Sequence, residues 1–379
     1  MSYIHLRNPH MQPQAREATA TLPRVALNVE LDPRAVAATE RYRSAWGTAS
    51  DRSIWPIKIT IATNLWLWHL DAFAKNEDPV PLFIDACDRA ARLLNGIGTS
   101  GVIGKYFSGP PVEGLDAKNF EDRVSGLFSD VWVDMTDDIY FDQSYEFTKE
   151  RLEKNGINPE QLFGGKTVLD AGCGSGKFTA AIARFGAAKA IGLDIGEKGL
   201  DFARQQAAKV PYGNRLEYRV GSLLDIPLET ASVDMVWSNG VIHHTLDYER
   251  CIAEFARITR PGGTLFLYVN GRFGLFELLQ DTMRKTMVDI PRALTQHCLH
   301  AFGVDAGRLY WLMDCLYSPY EWKSKQEVEA LLATHGYVDI RQLTRGVAID
   351  QIEQISTGLP YATVKYGEGQ LKFLARRRQ

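Results

Sequence analysis

Short apolar runs alternate with helix-like segments between residues 164 and 270. Runs of about five to seven mostly apolar residues are typical of strands buried on both faces of a parallel sheet. The predicted strands are 166–170, 188–193, 216–220, 233–237 and 264–269, and the predicted helices are 176–185, 197–209 and 247–258. This order predicts an α/β fold in which helices cover a parallel sheet.

The alternation stops after the fifth predicted strand. Residues 271–322 are rich in aromatic residues and methionine, and they predict an insertion that acts as a lid. The pattern then resumes with a predicted helix at 325–335, a strand at 337–343, and a closing hairpin formed by 362–366 and 371–374.

The residues before the sheet show a different pattern. Residues 1–23 contain three prolines and no periodicity, which predicts a flexible arm, and 24–135 form a predicted helical region. Apolar residues from Phe83 to Leu94 recur at the spacing of one helical face. The apolar stretch 54–73 predicts a buried helix, with a membrane-surface or dimer-contact helix as the alternative. Glycines and prolines between 96 and 114 predict an irregular connection. The sheet and all that follows would form the second domain, 136–379.

Composition narrows the functional class. The 379 residues carry 43 Lys and Arg against 46 Asp and Glu, a formal charge of −3, so the basic excess expected of a nucleic-acid-binding protein is missing. Five cysteines without a CxxC pair indicate neither a disulfide framework nor a zinc site. The N-terminal residues lack the apolar core of a signal peptide, and no apolar run is long enough to span a bilayer. We therefore expect a cytoplasmic protein with no transmembrane segment.

A glycine-rich turn joins the first predicted strand to the next helix. Such a turn lets a ligand approach bare backbone at a helix N-terminus. A Walker loop would need Gly at 171 and Ser or Thr at 178, where the chain has Ala171 and Phe178. A dinucleotide-binding loop would need a small residue at 177, where Lys177 stands. Both phosphate-binding motifs are therefore disfavoured.

The remaining pattern, Asp170-x-Gly172-x-Gly174-x-Gly176, resembles that of class I S-adenosylmethionine (SAM)-dependent methyltransferases. An acid before the glycines would repel a phosphate but suits a ligand that carries an ammonium group. Asp194, 24 residues later, ends the second predicted strand, where a carboxylate can accept both hydroxyls of a ribose. The resemblance implies a seven-stranded Rossmann-like methyltransferase sheet, SAM as the cofactor, and Ile195 among its binding residues.

Two further segments resemble the family pattern, and one departs from it. Residues 233–245 are similar to the fourth-strand motif of small-molecule methyltransferases, including ubiquinone and menaquinone methyltransferases, which adds Asn239 to the cofactor site. Residues 260–264 resemble the turn into the fifth strand. Relatives usually place an acid after the glycine that follows the third strand, whereas this chain has Ser222. We assign the adenine to Ser222 and Leu223, with Asp225 as a second candidate.

His243 and His244 follow the fourth predicted strand and are the candidate catalytic residues. Ligands bind at the carboxyl ends of strands in open α/β sheets, and an imidazole there could remove a proton from the methyl acceptor. We favour His244; the alternative is that one of the pair caps or packs the next helix. No Asn- or Asp-Pro-Pro-aromatic tetrapeptide follows the strand, which argues against methylation of DNA bases or protein amides.

Aromatic residues outside the sheet are candidates for acceptor binding. The predicted set is Tyr145, Tyr310, Trp311 and Tyr317; packing against the protein is the alternative for each. His297 and His300 lack a carboxylate at matching spacing, so no metal site is predicted.

These patterns predict a SAM-dependent methyltransferase that acts on a small molecule by in-line displacement. A tRNA or protein methyltransferase and a non-catalytic SAM-binding scaffold remain as alternatives. The N-terminal helices could also mediate a homodimer.

Overall fold

The computed structural model describes residues 31–50, 52–99, 136–304 and 306–379. The predicted flexible arm at 1–23 and most of the glycine-rich connection at 96–114 lie outside these residues.

One seven-stranded sheet, with strand order β3-β2-β1-β4-β5-β7-β6, forms the centre of the molecule. Its strands are β1 (Thr167–Ala171), β2 (Lys189–Asp194), β3 (Leu216–Val220), β4 (Val233–Asn239), β5 (Thr259–Asn270), β6 (Tyr337–Gln342) and β7 (Gln370–Arg377). Strand β7 is antiparallel to both β5 and β6, whereas β1 to β5 pair in parallel. The predicted seven-stranded Rossmann-like α/β sheet is confirmed.

Side chains alternate between the two faces of the sheet, as the strand period of two requires. Val168, Met235 and Phe266 lie in the core on one face, while Leu169 and Val236 lie in the core on the other. Because both cores are covered by helices, nearly every residue of the central strands is buried, which explains the continuous apolar runs in the sequence.

Helices cover the sheet and extend beyond it. Before the sheet, α1 (Pro33–Thr48), α2 (Trp55–Ala74) and α3 (Pro79–Thr99) are followed by a π-helical turn (Asp138–Gln143), α4 (Ser144–Glu153) and α5 (Pro159–Phe163). Between strands lie α6 (Lys177–Arg184), α7 (Glu197–Ala207) and α8 (Tyr248–Ile258). The insertion forms α9 (Leu275–Met287), α10 (Arg292–Ala301) and α11 (Ala306–Tyr317); α12 (Lys325–Thr334), α13 (Gln351–Ser356) and α14 (Ala362–Tyr366) follow.

The predicted closing hairpin is wrong in its first half. Residues 362–366 form the short helix α14, and β7 pairs with β5 and β6 instead. The helix follows Tyr361, whose φ is +59°, and the Lys365 ammonium donates to the carbonyl oxygens of Phe73 (2.8 Å) and Lys75 (2.9 Å) at the end of α2. These tertiary contacts override the strand propensity of Thr363 and Val364.

The N-terminal helices and the insertion share one hydrophobic core, separate from the two cores of the sheet. Fully buried Trp66 of α2 packs edge to face against Trp311 of α11, with the ring centroids 5.1 Å apart. The buried-helix prediction for 54–73 is confirmed, and no described helix is long and apolar enough to cross a membrane. The predicted boundary between the helical region 24–135 and the domain 136–379 remains a prediction. It separates α1–α3 from the insertion, although these helices pack together in one core.

Candidate active site

A cavity of about 340 Å³ lies at the carboxyl ends of β1, β2 and β4, at the point where the strand order reverses. Most of the predicted site residues line it: Gly172, Gly174, Asp194, Ile195, Ser222, Leu223, Asn239, His243 and His244. Asp170 and Gly176 lie immediately behind the lining, and Asp225 is exposed on the surface outside it.

The glycine turn needs glycine for its backbone and for its close contacts. Gly172, Gly174 and Gly176 have φ values of +79°, +56° and +80°, which side-chain-bearing residues rarely adopt. A Cβ at Gly172 would collide with the Val241 side chain, because the turn after β4 packs directly against this loop. The loop therefore presents bare backbone to the cavity, as the sequence predicts.

Asp170 is the penultimate residue of β1, just before the glycine turn. It is 2% exposed, and its carboxylate accepts a hydrogen bond from the Thr179 hydroxyl at 2.6 Å. Burial raises the pKa of Asp170 to about 7, and the nearby Asp194 carboxylate adds to the rise. Asp170 therefore acts on a bound ligand through its charge and through the loop that it supports, and a cationic ligand would favour its ionised form.

Asp194 ends β2 and lies at the cavity wall. Its Oδ2 accepts from the Gly174 N–H and its Oδ1 accepts from the Gly196 N–H, both at 2.8 Å. Burial raises the pKa of Asp194, while these two N–H groups oppose the rise. Since each carboxylate oxygen has two lone pairs, both oxygens can still accept a bond from a vicinal diol.

Lys177 also lines the cavity, at the N-terminus of α6. Burial, and then the neighbouring Arg151, lower the pKa of its ammonium to about 8. The loop thus combines a cation with two carboxylates, a charge pattern that matches a zwitterionic amino-acid group better than a phosphate. Sequence reasoning used Lys177 only to exclude a dinucleotide and missed it as a site residue.

The turn after β3 forms the opposite wall. Leu223 is buried, and the Ser222 hydroxyl accepts a hydrogen bond from the Leu224 N–H at 3.2 Å. Both residues line the cavity beside Leu224, which gives this end an apolar surface with one hydroxyl. The surface suits a flat heterocycle that has a polar edge.

The two histidines form a short 3-10 turn after β4 and are almost completely buried. His244 Nδ1 lies 3.0 Å from the Pro319 carbonyl oxygen, so it must carry the hydrogen. Burial lowers the pKa of both imidazoles, and the Asp314 carboxylate partly opposes this for His244. A neutral His244 with hydrogen on Nδ1 has its lone pair on Nε2, the form required of a proton acceptor.

Four polar residues complete the wall beside the histidines: Tyr268, Asn270 and Asp314, which sequence reasoning missed, and Tyr320, one of the aromatic residues of the predicted lid. Tyr268 and Asn270 lie at the carboxyl end of β5, so the rule that identified Asp170 and Asp194 could have found them. Asp314 belongs to α11 and Tyr320 follows it, and no sequence motif marks either. Their position depends on how the insertion packs over the sheet.

The predicted acceptor-binding aromatics lie elsewhere, outside the cavity lining. Tyr145 stacks on Phe185 at 4.2 Å and beneath the Arg184 guanidinium at 4.0 Å. The Tyr317 hydroxyl bonds to Thr295 at 2.6 Å, between α10 and α11. Trp311 packs on Trp66 and is 43% exposed, and Tyr310 lies on α11 with a side chain outside the described ones.

Residues 169–267 match the family model described as a methyltransferase domain. This segment contains the glycine turn, Asp194 and both histidines. This part of the chain carries a methyltransferase domain. SAM is the cofactor of this family, and the charge pattern around the glycine turn fits its aminoacyl and ribose groups.

Curated methyltransferases resemble part of this chain. The 27-O-demethylrifamycin SV methyltransferase of Amycolatopsis mediterranei is 29% identical over 38% of this chain and 55% of its own length. The malonyl-[acyl-carrier protein] O-methyltransferase of Yersinia pestis is 37% identical over 36% of this chain and 50% of its own. The mitochondrial ubiquinone biosynthesis O-methyltransferase of Homo sapiens is 34% identical over 32% and 34%. The chain thus spans about half or less of the length of these relatives.

Proposed function

We propose that this protein transfers a methyl group from SAM to a hydroxyl oxygen of a small molecule. The observation that carries the proposal is a single cavity that joins the glycine turn and Asp194 to two buried histidines. The three relatives are named as methyltransferases of rifamycin, acyl-carrier-protein and ubiquinone intermediates, and the last two are named O-methyltransferases. Oxygen is therefore the acceptor atom that the comparisons favour.

The residues around the glycine turn would hold the cofactor. Asp194 would accept the two ribose hydroxyls, Ser222 and Leu223 would contact the adenine, and Lys177 would meet the methionyl carboxylate. Bound SAM would supply a sulfonium methyl group to the hydroxyl oxygen, and S-adenosylhomocysteine would be the leaving group. The protein's part is to align the two reactants and to exclude water.

His244 is the proposed general base. Its Nδ1–H is committed to the Pro319 carbonyl, which orients the ring and leaves the lone pair on Nε2 to take the hydroxyl proton. Burial keeps the imidazole neutral at pH 7, and the Asp314 carboxylate favours the imidazolium as the proton arrives. His243 lines the cavity next to it, with the ring centroids 4.2 Å apart.

Calorimetry with SAM and with S-adenosylhomocysteine tests the cofactor site. Intact protein should bind both, and Asp194→Ala should weaken binding by about 10-fold or more, because two hydrogen bonds to a charged group are lost. Asp201→Ala, which removes an exposed acid of α7, is the matched control and should bind normally. Absence of binding in intact protein, or unchanged binding in Asp194→Ala, would refute the assignment.

Turnover of the His244 variant tests the base. His244→Ala should reduce kcat by about 10²- to 10⁴-fold, the usual contribution of a general base, with SAM affinity retained. His300→Ala, an exposed histidine of α10, should match the wild type. An active His244→Ala variant would exclude His244 as the base.

Several expectations about the whole protein remain proposals. We propose a cytoplasmic enzyme with a small-molecule acceptor and no nucleic-acid partner. We also propose a homodimer through the N-terminal helices. Because α9–α11 already cover one side of α1–α3, the dimer would use another side. Size-exclusion chromatography with light scattering tests the dimer.

A further inference from the structure

A chain of hydrogen bonds runs along the cavity wall opposite the cofactor site. The Tyr268 hydroxyl donates to Asn270 Oδ1 (3.4 Å), Asn270 Nδ2 donates to the Tyr320 hydroxyl (3.3 Å), and the Tyr320 hydroxyl donates to Asp314 Oδ2 (3.3 Å). All four residues line the cavity. The chain connects β5 to α11, so it fixes the insertion relative to the sheet.

The direction of this chain follows from its last member. An ionised carboxylate only accepts hydrogen bonds, so the Tyr320 hydrogen must point to Asp314. The Tyr320 oxygen therefore accepts from the Asn270 amide, and Asn270 Oδ1 accepts from Tyr268. All three hydrogen bonds point towards Asp314, so the chain ends in an acceptor.

The second carboxylate oxygen of Asp314, Oδ1, is buried and has no hydrogen-bond partner among the described residues. A buried carboxylate oxygen without a donor is costly, and a donor from a molecule in the cavity that Asp314 lines would relieve this cost. Arg284, whose Nε and Nη1 are also buried without a partner among the described residues, stacks on the Tyr320 ring at 3.8 Å and does not line the cavity. The Arg284 guanidinium reaches the Asp314 backbone carbonyl at 3.5 Å, and no ion pair joins it to the described Asp314 carboxylate.

Asp314 lies close to the proposed base. The Tyr320 ring contacts the His244 ring at 4.2 Å between centroids, and its hydroxyl reaches Asp314. The Tyr320 side chain thus contacts both the imidazole and the carboxylate. One hydroxyl at His244 and a second donor at Asp314 could belong to the same small molecule.

We propose that Asp314 binds the methyl acceptor through a second O–H or N–H group, in the same cavity as the hydroxyl that is methylated. This inference rests on the proposed function and specifies its acceptor class. The site selects acceptors with two hydrogen-bond donors, and it disfavours acceptors that carry a carboxylate or phosphate at this position, since the Asp314 charge repels them.

Calorimetry on protein loaded with S-adenosylhomocysteine tests this inference. The probes are phenol, the three benzenediols (1,2-, 1,3- and 1,4-) and 3-hydroxybenzoate. At least one diol should bind roughly 10- to 100-fold more tightly than phenol, the range of a hydrogen bond to a charged acceptor, and 3-hydroxybenzoate should bind more weakly than phenol. The favoured diol reports the spacing between the two donor groups.

Asp314→Asn should remove both the preference for a diol over phenol and the discrimination against 3-hydroxybenzoate. Its affinity for S-adenosylhomocysteine should stay unchanged, which would show that the fold is intact. Asp281→Asn makes the same chemical change on the exposed side of α9 and should retain the diol preference. A diol preference that persists in Asp314→Asn, or is absent from the wild type, would overturn the inference and leave the proposed function standing. Failure of S-adenosylhomocysteine to bind the wild type would instead overturn the proposed function and this inference together.

Discussion

Asp170 and Asp350 are equally buried, but replacement by asparagine should change stability in opposite directions. Both are 2% exposed. Asp170 has the Thr179 hydroxyl as its side-chain donor and no cation among its described hydrogen-bond partners, so burial raises its pKa. Asp350 bonds to the Arg151 guanidinium at 2.7 and 2.8 Å and to the Lys372 ammonium at 2.5 Å, so its pKa is lowered although burial opposes the change.

The magnitude for Asp170 follows from its shift. A pKa that rises from 3.8 to about 7 corresponds to about 3 units, and each unit is about 1.4 kcal/mol. The ionised carboxylate therefore costs the folded state up to about 4 kcal/mol at pH 8, a cost that asparagine lacks. Asp350→Asn instead leaves two buried cations without their counter-ion, which destabilises by about 3–5 kcal/mol.

The pH dependence separates the two effects. A raised folded-state pKa means that the folded protein holds the Asp170 proton more tightly, so stability falls as pH rises from 3.8 to about 7. The gain from Asp170→Asn should thus shrink to about 2 kcal/mol at pH 5. The ionised Asp350 stabilises the fold above its unfolded-state pKa, so the loss in Asp350→Asn should be similar at pH 5 and pH 8.

Urea unfolding of the protein alone, followed by circular dichroism at pH 5 and pH 8, measures both effects. A higher free energy of unfolding in Asp170→Asn at pH 8, together with a lower one in Asp350→Asn, is expected. If Asp170→Asn is destabilised at pH 8, or if its effect is the same at both pH values, the argument that Asp170 is strained by burial for the sake of ligand binding is refuted.

Three further predictions concern the site. Gly172→Ala should lose SAM binding and lower the free energy of unfolding by about 2–4 kcal/mol, because backbone strain adds to a collision with Val241. Gly303→Ala is the control: its φ is +76° and no atom lies within 4 Å, so it should cost only about 1–2 kcal/mol. Equal losses in chemical denaturation would contradict this. The fall of kcat/KM at low pH should have its midpoint below pH 6.5, because burial lowers the His244 pKa. If an active His244→Gln variant shows the same fall, the titrating group is another residue. The SAM dissociation constant, measured by calorimetry, should rise up to about 10-fold from pH 8 to pH 6, because Asp170 takes up a proton with a pKa of about 7. A dissociation constant that does not change with pH in the wild type would contradict this.

Local patterns were enough to predict the sheet and the cofactor half of the site. Buried runs identified the strands because both faces of the sheet are covered, and the predicted limits differ mainly at β5, which begins at Thr259 instead of 264. Asp170 and Asp194 could be paired from sequence because the carboxyl ends of neighbouring parallel strands meet at one edge. The same rule indicated His243 and His244, which line the same cavity as Asp194.

The acceptor half depends on tertiary packing that no local pattern encodes. Asp314 reaches the cavity only because α11 packs with α9 and α2, and aromatic composition drew attention to Trp311 and Tyr317 on the same segment instead. Tyr145 was predicted to bind the acceptor, but the cation–π contact with Arg184 and stacking on Phe185 hold it at the end of α6, outside the cavity lining. Polar residues at strand ends were the better guide to this site.

The central claim is that one cavity brings SAM to a small hydroxylated acceptor. Incubation of a cell extract with methyl-labelled SAM and the intact protein, followed by mass spectrometry, tests it most directly. The account predicts label on the oxygen of a small molecule that bears a second hydroxyl or amine, and much less of this product with Asp194→Ala at the same SAM concentration. Label on tRNA or protein, or a small-molecule product that Asp194→Ala forms equally well, would contradict it.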